Sequence, residues 1–400
     1  MKFAHMGDCH LGSWGSHPDL KEFSLLAFEK AMDICIEENV DFILISGDLF
    51  DTSLPSIDIL KRSVKKMRAC RDSGIRIYAI AGSHDSSPTG KTFLSVLEDA
   101  GLLKDVAEIR ETDGKFSLEF TQDKTGANIT GVFGRRGSLE KSLFEKLKIN
   151  EKNGFKVFLL HSAIEEFSPK HLKEMEAIPL SSLPKGFDYY ASGHIHIRSE
   201  HGFGKGRIVF PGALFPTNFQ ELENYDSGFY IVNFNEGMKL DFITTKLFDV
   251  ELMRINADNK SASEVEEEIV REVDKRNLDG KVLLLRVGGI LKTGKPSDID
   301  FRRITGKAIS RNVLAIKRNT SSLRTKEFQE IQIRKNLMVE DIERELIREN
   351  IAKIGIPALN DKNLIIVLMN ALKEEKREGE TNASYEERIK ENTKKVLGLE

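Results

Sequence analysis

Cysteine is scarce: Cys9, Cys35 and Cys70 are the three in a chain of 400 residues. Their number and irregular spacing exclude a disulfide framework and a cysteine-rich zinc site, so they are expected to be core thiols of a chain kept in a reducing cytosol. Long apolar runs are missing too. No window approaches the roughly 20 apolar residues that cross a bilayer, and the first residues, MKFAHMGDCHLG, hold no charged region followed by an apolar stretch. A cytoplasmic chain without membrane contact is expected. Neither sign of charge prevails, with 60 basic against 63 acidic residues and a net charge of −3. Affinity for a polyanion would therefore come from a local basic patch or from bound cations. The sequence holds no glycine-rich loop ending in Lys-Ser or Lys-Thr, no G-x-S-x-G elbow and no active-site cysteine motif, so ATP binding and covalent side-chain catalysis have no support.

What is present, at 40% hydrophobic and 31% charged residues, is a globular chain long enough for two or three domains. From 1 to about 245, short apolar runs alternate with amphipathic segments, which predicts an α/β layered domain. Candidate strands are Lys2–Met6, Phe42–Ser46, Ile75–Ala81, Phe155–Leu160, Tyr189–Ala191, Ile208–Phe210 and Phe229–Asn233. Helices are expected at about 20–38 and 56–72, the second presenting Ile57, Leu60, Val64 and Met67 on one face. Between about 246 and 326 a strand-helix-strand-helix-strand rhythm predicts a smaller α/β cap. Beyond it, Met338, Ile342, Leu346, Ile347, Ile351 and Ile354 form an apolar helical stripe, broken at Gly355–Pro357, before a second helix at about Asp361–Lys376. The Glu- and Lys-rich stretch Lys373–Glu387 reads as a solvated helix end or linker.

Polar residues fall immediately after strands: Asp8 and His10, Asp48, His84, and His161. Loops at the carboxyl ends of strands are where an open α/β sheet builds its site. With the neighbouring residues the constellation is Asp8-Cys9-His10, Gly47-Asp48-Leu49-Phe50-Asp51, Gly82-Ser83-His84-Asp85, His161 and Gly193-His194-Ile195-His196. Mixed carboxylates and imidazoles suit Mn²⁺, Fe²⁺ or Zn²⁺ better than Mg²⁺ or Ca²⁺. Positions i and i+2 of an extended strand end point the same way, so Asp8 with His10, and His194 with His196, are each expected to offer two ligands to one spot. Gly7, Gly47, Gly82 and Gly193 are expected to adopt positive φ and aim the following side chain at the centre.

The order D-x-H, G-D-x-x-D, G-[N/S]-H-D, H, G-H-x-H resembles the calcineurin-like metallophosphoesterases. The stretches HMGDCHLG, NVDFILISGDLFDTSLPS, IAGSHD with KTFLSVLEDAGL, and GHIH with PGALFPTNFQELE narrow the resemblance to DNA double-strand-break repair nucleases of the meiotic-recombination-eleven/SbcD type, clearly over about 1–330. That resemblance implies a two-layered β-sandwich flanked by helices, a small α/β cap and a C-terminal helical hairpin. It implies two Mn²⁺ per subunit, one held by Asp8, His10, Asp48 and His196, the other by Asp48, Ser83, His161 and His194, with Asp48 bridging. His84 would steady the scissile phosphate and leaving oxygen, and Asp51 would support the ligands from behind. Ser83 departs from the asparagine common in the superfamily, and a serine hydroxyl is a shorter, weaker ligand.

The implied organisation is a nuclease domain at 1–245, a basic DNA-capping domain at 246–326 and a partner-binding helix-loop-helix with tail at 327–400. No Asp or Glu occurs between Phe301 and Lys326, whereas Arg302, Arg303, Lys307, Arg311, Lys317, Arg318, Arg324 and Lys326 give eight positive charges. Nucleic-acid contact is expected there, and at His17 beside Trp14 in the first loop. The resemblance further implies a homodimer through about 56–102 and docking of the C-terminal helices on an SMC-like, ABC-type coiled-coil ATPase of the Rad-fifty type. The activity it implies is 3′-5′ exonuclease and single-strand endonuclease. The competing readings are a metallophosphoesterase acting on small nucleotides or phosphoproteins, and a non-catalytic scaffold of the same fold.

Overall fold

The computed structural model describes residues 1–325, apart from 16, 18, 87–91, 113–114, 135–143, 145–146, 149–151 and 169–176, together with 361–372, 374 and 382–397. The chain divides into two compact units, Met1–Lys326 and Glu327–Glu400.

In the first unit two six-stranded sheets lie face to face. One has the order β17 (Met238–Thr244), β16 (Gly228–Phe234), β1 (Lys2–Met6), β2 (Phe42–Ser46), β3 (Arg76–Ile80), β4 (Lys104–Asp105). The other runs β14 (Ser199–Phe203), β15 (Gly206–Phe210), β13 (Tyr189–Gly193), β10 (Lys156–His161), β8 (Asn128–Val132), β7 (Thr121–Gln122). Strands β1 to β4 are mutually parallel, as are β8, β10, β13 and β15; antiparallel strands form both edges of the second sheet and the β17 edge of the first, whose other edge is the parallel β4.

Side-chain alternation builds the layers. On β1 and β2, Phe3, Phe42 and Leu44 face the second sheet and meet Ile129, Val157, Leu159, Tyr189 and Val209. Ala4, Met6, Ile43 and Ile45 point the other way, onto helices α1 (Phe23–Glu37), α2 (Ile57–Asp72) and α3 (Phe93–Asp99). This core contains all three thiols, which are free and buried. Of the expected α2 stripe, Met67 is buried and Leu60 and Val64 pack against the core. Ile57, in the first turn, is instead 83% exposed. The outer face of the second sheet packs against Leu118, Phe144, Ile164, Ile178 and Phe187, and the short strands outside it are β5 (Ile109–Thr112), β6 (Lys115–Leu118), β9 (Leu147–Lys148), β11 (Ala163–Ile164) and β12 (Ala177–Ile178).

Residues 249–325 form a four-stranded sheet of their own, β18 (Asp249–Asn256), β19 (Lys281–Leu291), β20 (Ala315–Asn319) and β21 (Leu323–Thr325). Helix α4 (Phe219–Asn224) lies before them in the chain, and α5 (Ala262–Lys275) and α6 (Phe301–Ile309) cover this sheet over a separate apolar core. Ser261 and Glu264 start α5 with a reciprocal capping box.

In the second unit, α7 (Lys362–Leu372) and α8 (Asn382–Leu397) pair, and Tyr385 Oη donates to the Glu374 carbonyl at 3.0 Å. Residues 382–387 form the first turns of α8 with Glu386 and Glu387 exposed, the solvated helix end that is one of the two readings of the charged stretch. The stripe from Met338 to Ile354 lies outside the described residues. Among the described residues, no helix is long and apolar enough to cross a membrane.

Candidate metal centre

The loops at the carboxyl ends of β1, β2, β3, β10 and β13 converge on one pocket. Three groups of side chains offer ligand atoms within 4.8 Å of one another: Asp8, His10 and His196; His10, Asp48 and His84; and Asp8, Asp48 and His161. His194 is in none of these groups; its ring lies edge-on to that of His161, with centroids 5.1 Å apart. Ser83 is half-buried in the turn just before His84. His194 and His196 therefore do not point to one spot, as strand alternation predicts; they flank the centre, one beside His161 and the other beside His10. The backbone has already left the strand there, with His194 at φ 79°.

The glycine expectation is corrected at three positions. Only Gly47 has positive φ, whereas Asp8, His10, Asp48 and His194 themselves occupy the left-handed region at φ 49°, 41°, 49° and 79°. Four non-glycine residues so placed within one pocket mark stored backbone strain, which persists only where the surroundings enforce it. The glycines are there for space. A Cβ at Gly7 would fall 2.5 Å from Ser46 Oγ, one at Gly82 2.2 Å from Asp48 Oδ1, and one at Gly193 2.2 Å from the Ser46 carbonyl.

Hydrogen bonds on Nδ1 orient the histidines. His161 Nδ1 lies 2.8 Å from the Ser46 carbonyl and His84 Nδ1 2.8 Å from the Asp51 carbonyl. His10 Nδ1 lies 3.2 Å from Asp51 Oδ1, and His196 Nδ1 2.9 Å from Glu221 Oε1. Each partner is an acceptor, so Nδ1 donates, and Nε2 is left to hold a proton or, through its lone pair, a metal ion. Those Nε2 atoms meet other acceptors: His10 Nε2 stands 3.2 Å from His196 Nε2, and His161 Nε2 3.1 Å from Asp48 Oδ2. His161 Nε2 is buried without a hydrogen-bond partner. Facing acceptors at such distances repel unless a proton or a cation lies between them. The donor set, two carboxylates with imidazole Nε2 atoms held from behind, thus fits divalent transition metals.

The electrostatics agree. Burial alone would raise Asp48, but His161, His10 and the His84 amide hold it well below the usual carboxylate range. Burial alone would lower His161 and His196; Asp48 and Asp8 push the first up to about 10, while Glu221 and Asp8 push the second up to about 9. Burial and the charge of His161 bring His194 down to about 3. Asp85 ties two loops together: fully buried, it accepts from the amides of Leu49, Phe50 and Gly82 at 3.2, 2.9 and 2.9 Å.

Two residues here escape sequence reasoning. Glu221 stands on a six-residue helix whose only local signal is the N-cap Asn218. His5, on the inner face of β1, is bonded to Tyr189 Oη and Ser46 Oγ at 2.8 and 3.1 Å, below the carbonyl that orients His161. Burial holds it down at about 3, hence neutral.

Helix α5 engages part of the cap's basic stretch. Arg303 bonds Glu266 and Glu267, Lys307 pairs with Asp274, and Arg311 donates to the Asp274 carbonyl. Lys317 Nζ lies 4.4 Å over the Trp14 ring and 2.8 Å from His17 Nε2, and Arg318 stacks on Phe301.

Residues 1–198 match the calcineurin-like phosphoesterase family, so the chain carries a calcineurin-like metallophosphoesterase domain. Among curated relatives, the DNA double-strand break repair protein Mre11 of Archaeoglobus fulgidus is 29% identical over 325 residues, 78% of this chain and 72% of that one. Its namesake from Sulfurisphaera tokodaii is 26% identical over 411 residues, 99% of this chain and 97% of the other. An uncharacterized metallophosphoesterase of Bacillus subtilis, YhaO, is 27% identical over 252 residues, 59% of this chain and 58% of its own.

Proposed function

We propose that this chain is a manganese-dependent DNA nuclease, the nuclease subunit of a double-strand-break repair complex, with 3′-5′ exonuclease and single-strand endonuclease activity. The observation that carries the reading is the convergence of imidazole nitrogens from His10, His161 and His196 on the carboxylates of Asp8 and Asp48. The likeness to archaeal break-repair proteins over nearly the whole chain supports the substrate class.

Asp8, His10, Asp48 and His196 would hold one ion, and Asp48, Ser83, His161 and His194 the other. Two such ions, when bound, acidify a water and offset charge on the attacking and departing oxygens of a phosphodiester. The chain's own contribution is orientation. Asp51 fixes His10 through its carboxylate and His84 through its carbonyl. His84, half-buried and with Nδ1 committed to the Asp51 carbonyl, would need a second proton on Nε2 to give one to the leaving oxygen as its bond to phosphorus breaks.

DNA would lie against the cap domain, 246–326. The candidate contacts narrow to Arg302, Lys317 and Arg318 with His17, because Arg303, Lys307 and Arg311 are engaged within the cap. Helices of the second unit would dock the SMC-like ATPase, and the region from about 56 to 102, which includes α2 with its exposed Ile57, would serve a homodimer. Removing residues beyond 330 should then abolish co-purification with the ATPase and spare cleavage.

The test is cleavage of end-labelled duplex and single-stranded DNA with Mn²⁺, Mg²⁺ or chelator, alongside bis-para-nitrophenyl phosphate. DNA cleavage that needs Mn²⁺ is expected. Hydrolysis of the small diester without DNA cleavage would favour the small-substrate reading, and inertness toward both would favour a scaffold.

A further inference from the structure

Helix α4 touches the metal centre with one side chain and the cap with another. Glu221, buried, takes His196 Nδ1 at 2.9 Å on Oε1 and the Thr217 amide and hydroxyl at 2.8 and 3.1 Å on Oε2. Two residues on, the Glu223 side chain is only 5% exposed and bonds Arg254 at 2.7 Å and Arg286 at shorter range. Those arginines are directly opposite each other on the parallel strands β18 and β19, so their guanidinium groups would repel without an anion between them. Arg286 also stacks on Phe219, the first residue of the same helix, 5.0 Å from the ring centroid. Six residues of helix cannot flex much, and both carboxylates are buried, so that losing a partner would leave uncompensated charge.

We infer that Glu223 is a positioning residue for the metal centre: by clamping α4 to the cap sheet it sets Glu221, and through Glu221 the orientation of His196. The inference rests on the metal-centre reading above and concerns what holds that site in register. The cap is then not only a surface for substrate; its placement on α4 decides how tightly one ion is held.

The experiment is calorimetric titration of the full chain with MnCl₂, comparing wild type, Glu221→Gln, Glu223→Gln and the double variant, with melting temperatures beside them. Glu221→Gln is expected to weaken one of the two manganese sites by about 10-fold or more, in the range found when outer partners of ligating histidines are lost. Glu223→Gln, which touches no ligand, is expected to weaken the same site by about 5-fold and leave the other unchanged. The double variant should bind no worse than Glu221→Gln, because one route carries both effects. Arg254→Gln, at a side chain 64% exposed, is the milder probe should Glu223→Gln fold poorly, with an expected loss of about 2-fold. Wild-type affinity in Glu223→Gln and Arg254→Gln, even with a lowered melting temperature, would overturn the inference, as would additive losses in the double variant. A wild type that takes up no manganese would overturn the metal-centre reading itself, a distinguishable failure.

Discussion

The backbone N–H of His84 donates to Oδ1 of Asp48 over 2.8 Å. The turn that presents the proposed leaving-group residue is thereby anchored on the carboxylate that stands in two of the three ligand groups. Because the bond comes from the main chain, removing the imidazole should not disturb Asp48. His84→Ala is expected to lower manganese-dependent cleavage by about 10²- to 10⁴-fold. Calorimetric manganese affinity should stay within about 2-fold of wild type, and a parallel loss of metal would make His84 a ligand instead.

Ser83 precedes that turn, and its hydroxyl is shorter than the amide common in the superfamily. Ser83→Asn is expected to tighten manganese binding, since a carbonyl oxygen is a better and longer-reaching ligand. Unchanged or weaker affinity by calorimetry would count against Ser83 as a member of the ligand set.

Gly82→Ala would put a methyl group 2.2 Å from Asp48 Oδ1 and 2.4 Å from the Asp48 amide nitrogen. Neither atom is at the end of a flexible side chain, so the two loops must part. A stability loss of about 1–3 kcal/mol is expected, with loss of manganese binding. Wild-type melting temperature and affinity would show that the loops adapt.

Away from the centre, Asp123 holds the sheet edges together: it pairs with Arg76 at 2.8 and 2.9 Å and accepts from Tyr78 Oη at 2.9 Å. Burial would raise it, but these donors and Thr125 bring it down to about 2. A carboxylate depressed on folding stabilises above its unfolded pKa of about 3.9 and loses that contribution as pH falls toward the folded value. Asp123→Asn should therefore cost about 2 kcal/mol in urea unfolding at pH 7. The cost should shrink to roughly half near pH 3, and a cost independent of pH would place its origin in packing.

Much of this was legible in the residues. Lys2–Met6 and Phe42–Ser46 are strands over the ranges their apolar runs mark, and Ala262–Lys275 is a helix between its capping box and its last apolar residue. Strands β8, β14 and β17 escaped because their sequences are polar, glycine-containing or amphipathic, and only their neighbours make them strands. The pocket's residues could be read from five separated motifs, yet their geometry could not: positive φ sits on the aspartates and histidines, while three of the four glycines provide clearance. Glu221 lies in the quoted stretch PGALFPTNFQELE, but its role was not legible there, since it exists only once α4 meets His196. The cap's run of positive charge likewise could not show which of its members are already paired. Its counter-charges Glu266, Glu267 and Asp274 lie about 35 residues earlier, on a helix that packs beside it.

The most direct measurement is an anomalous difference map from crystals of the full chain grown with Mn²⁺. Two peaks are expected, one within reach of Asp8, His10 and His196, the other within reach of Asp48, His161 and His194. No peak in this pocket, or manganese bound only elsewhere, would contradict a dinuclear centre at these strand ends.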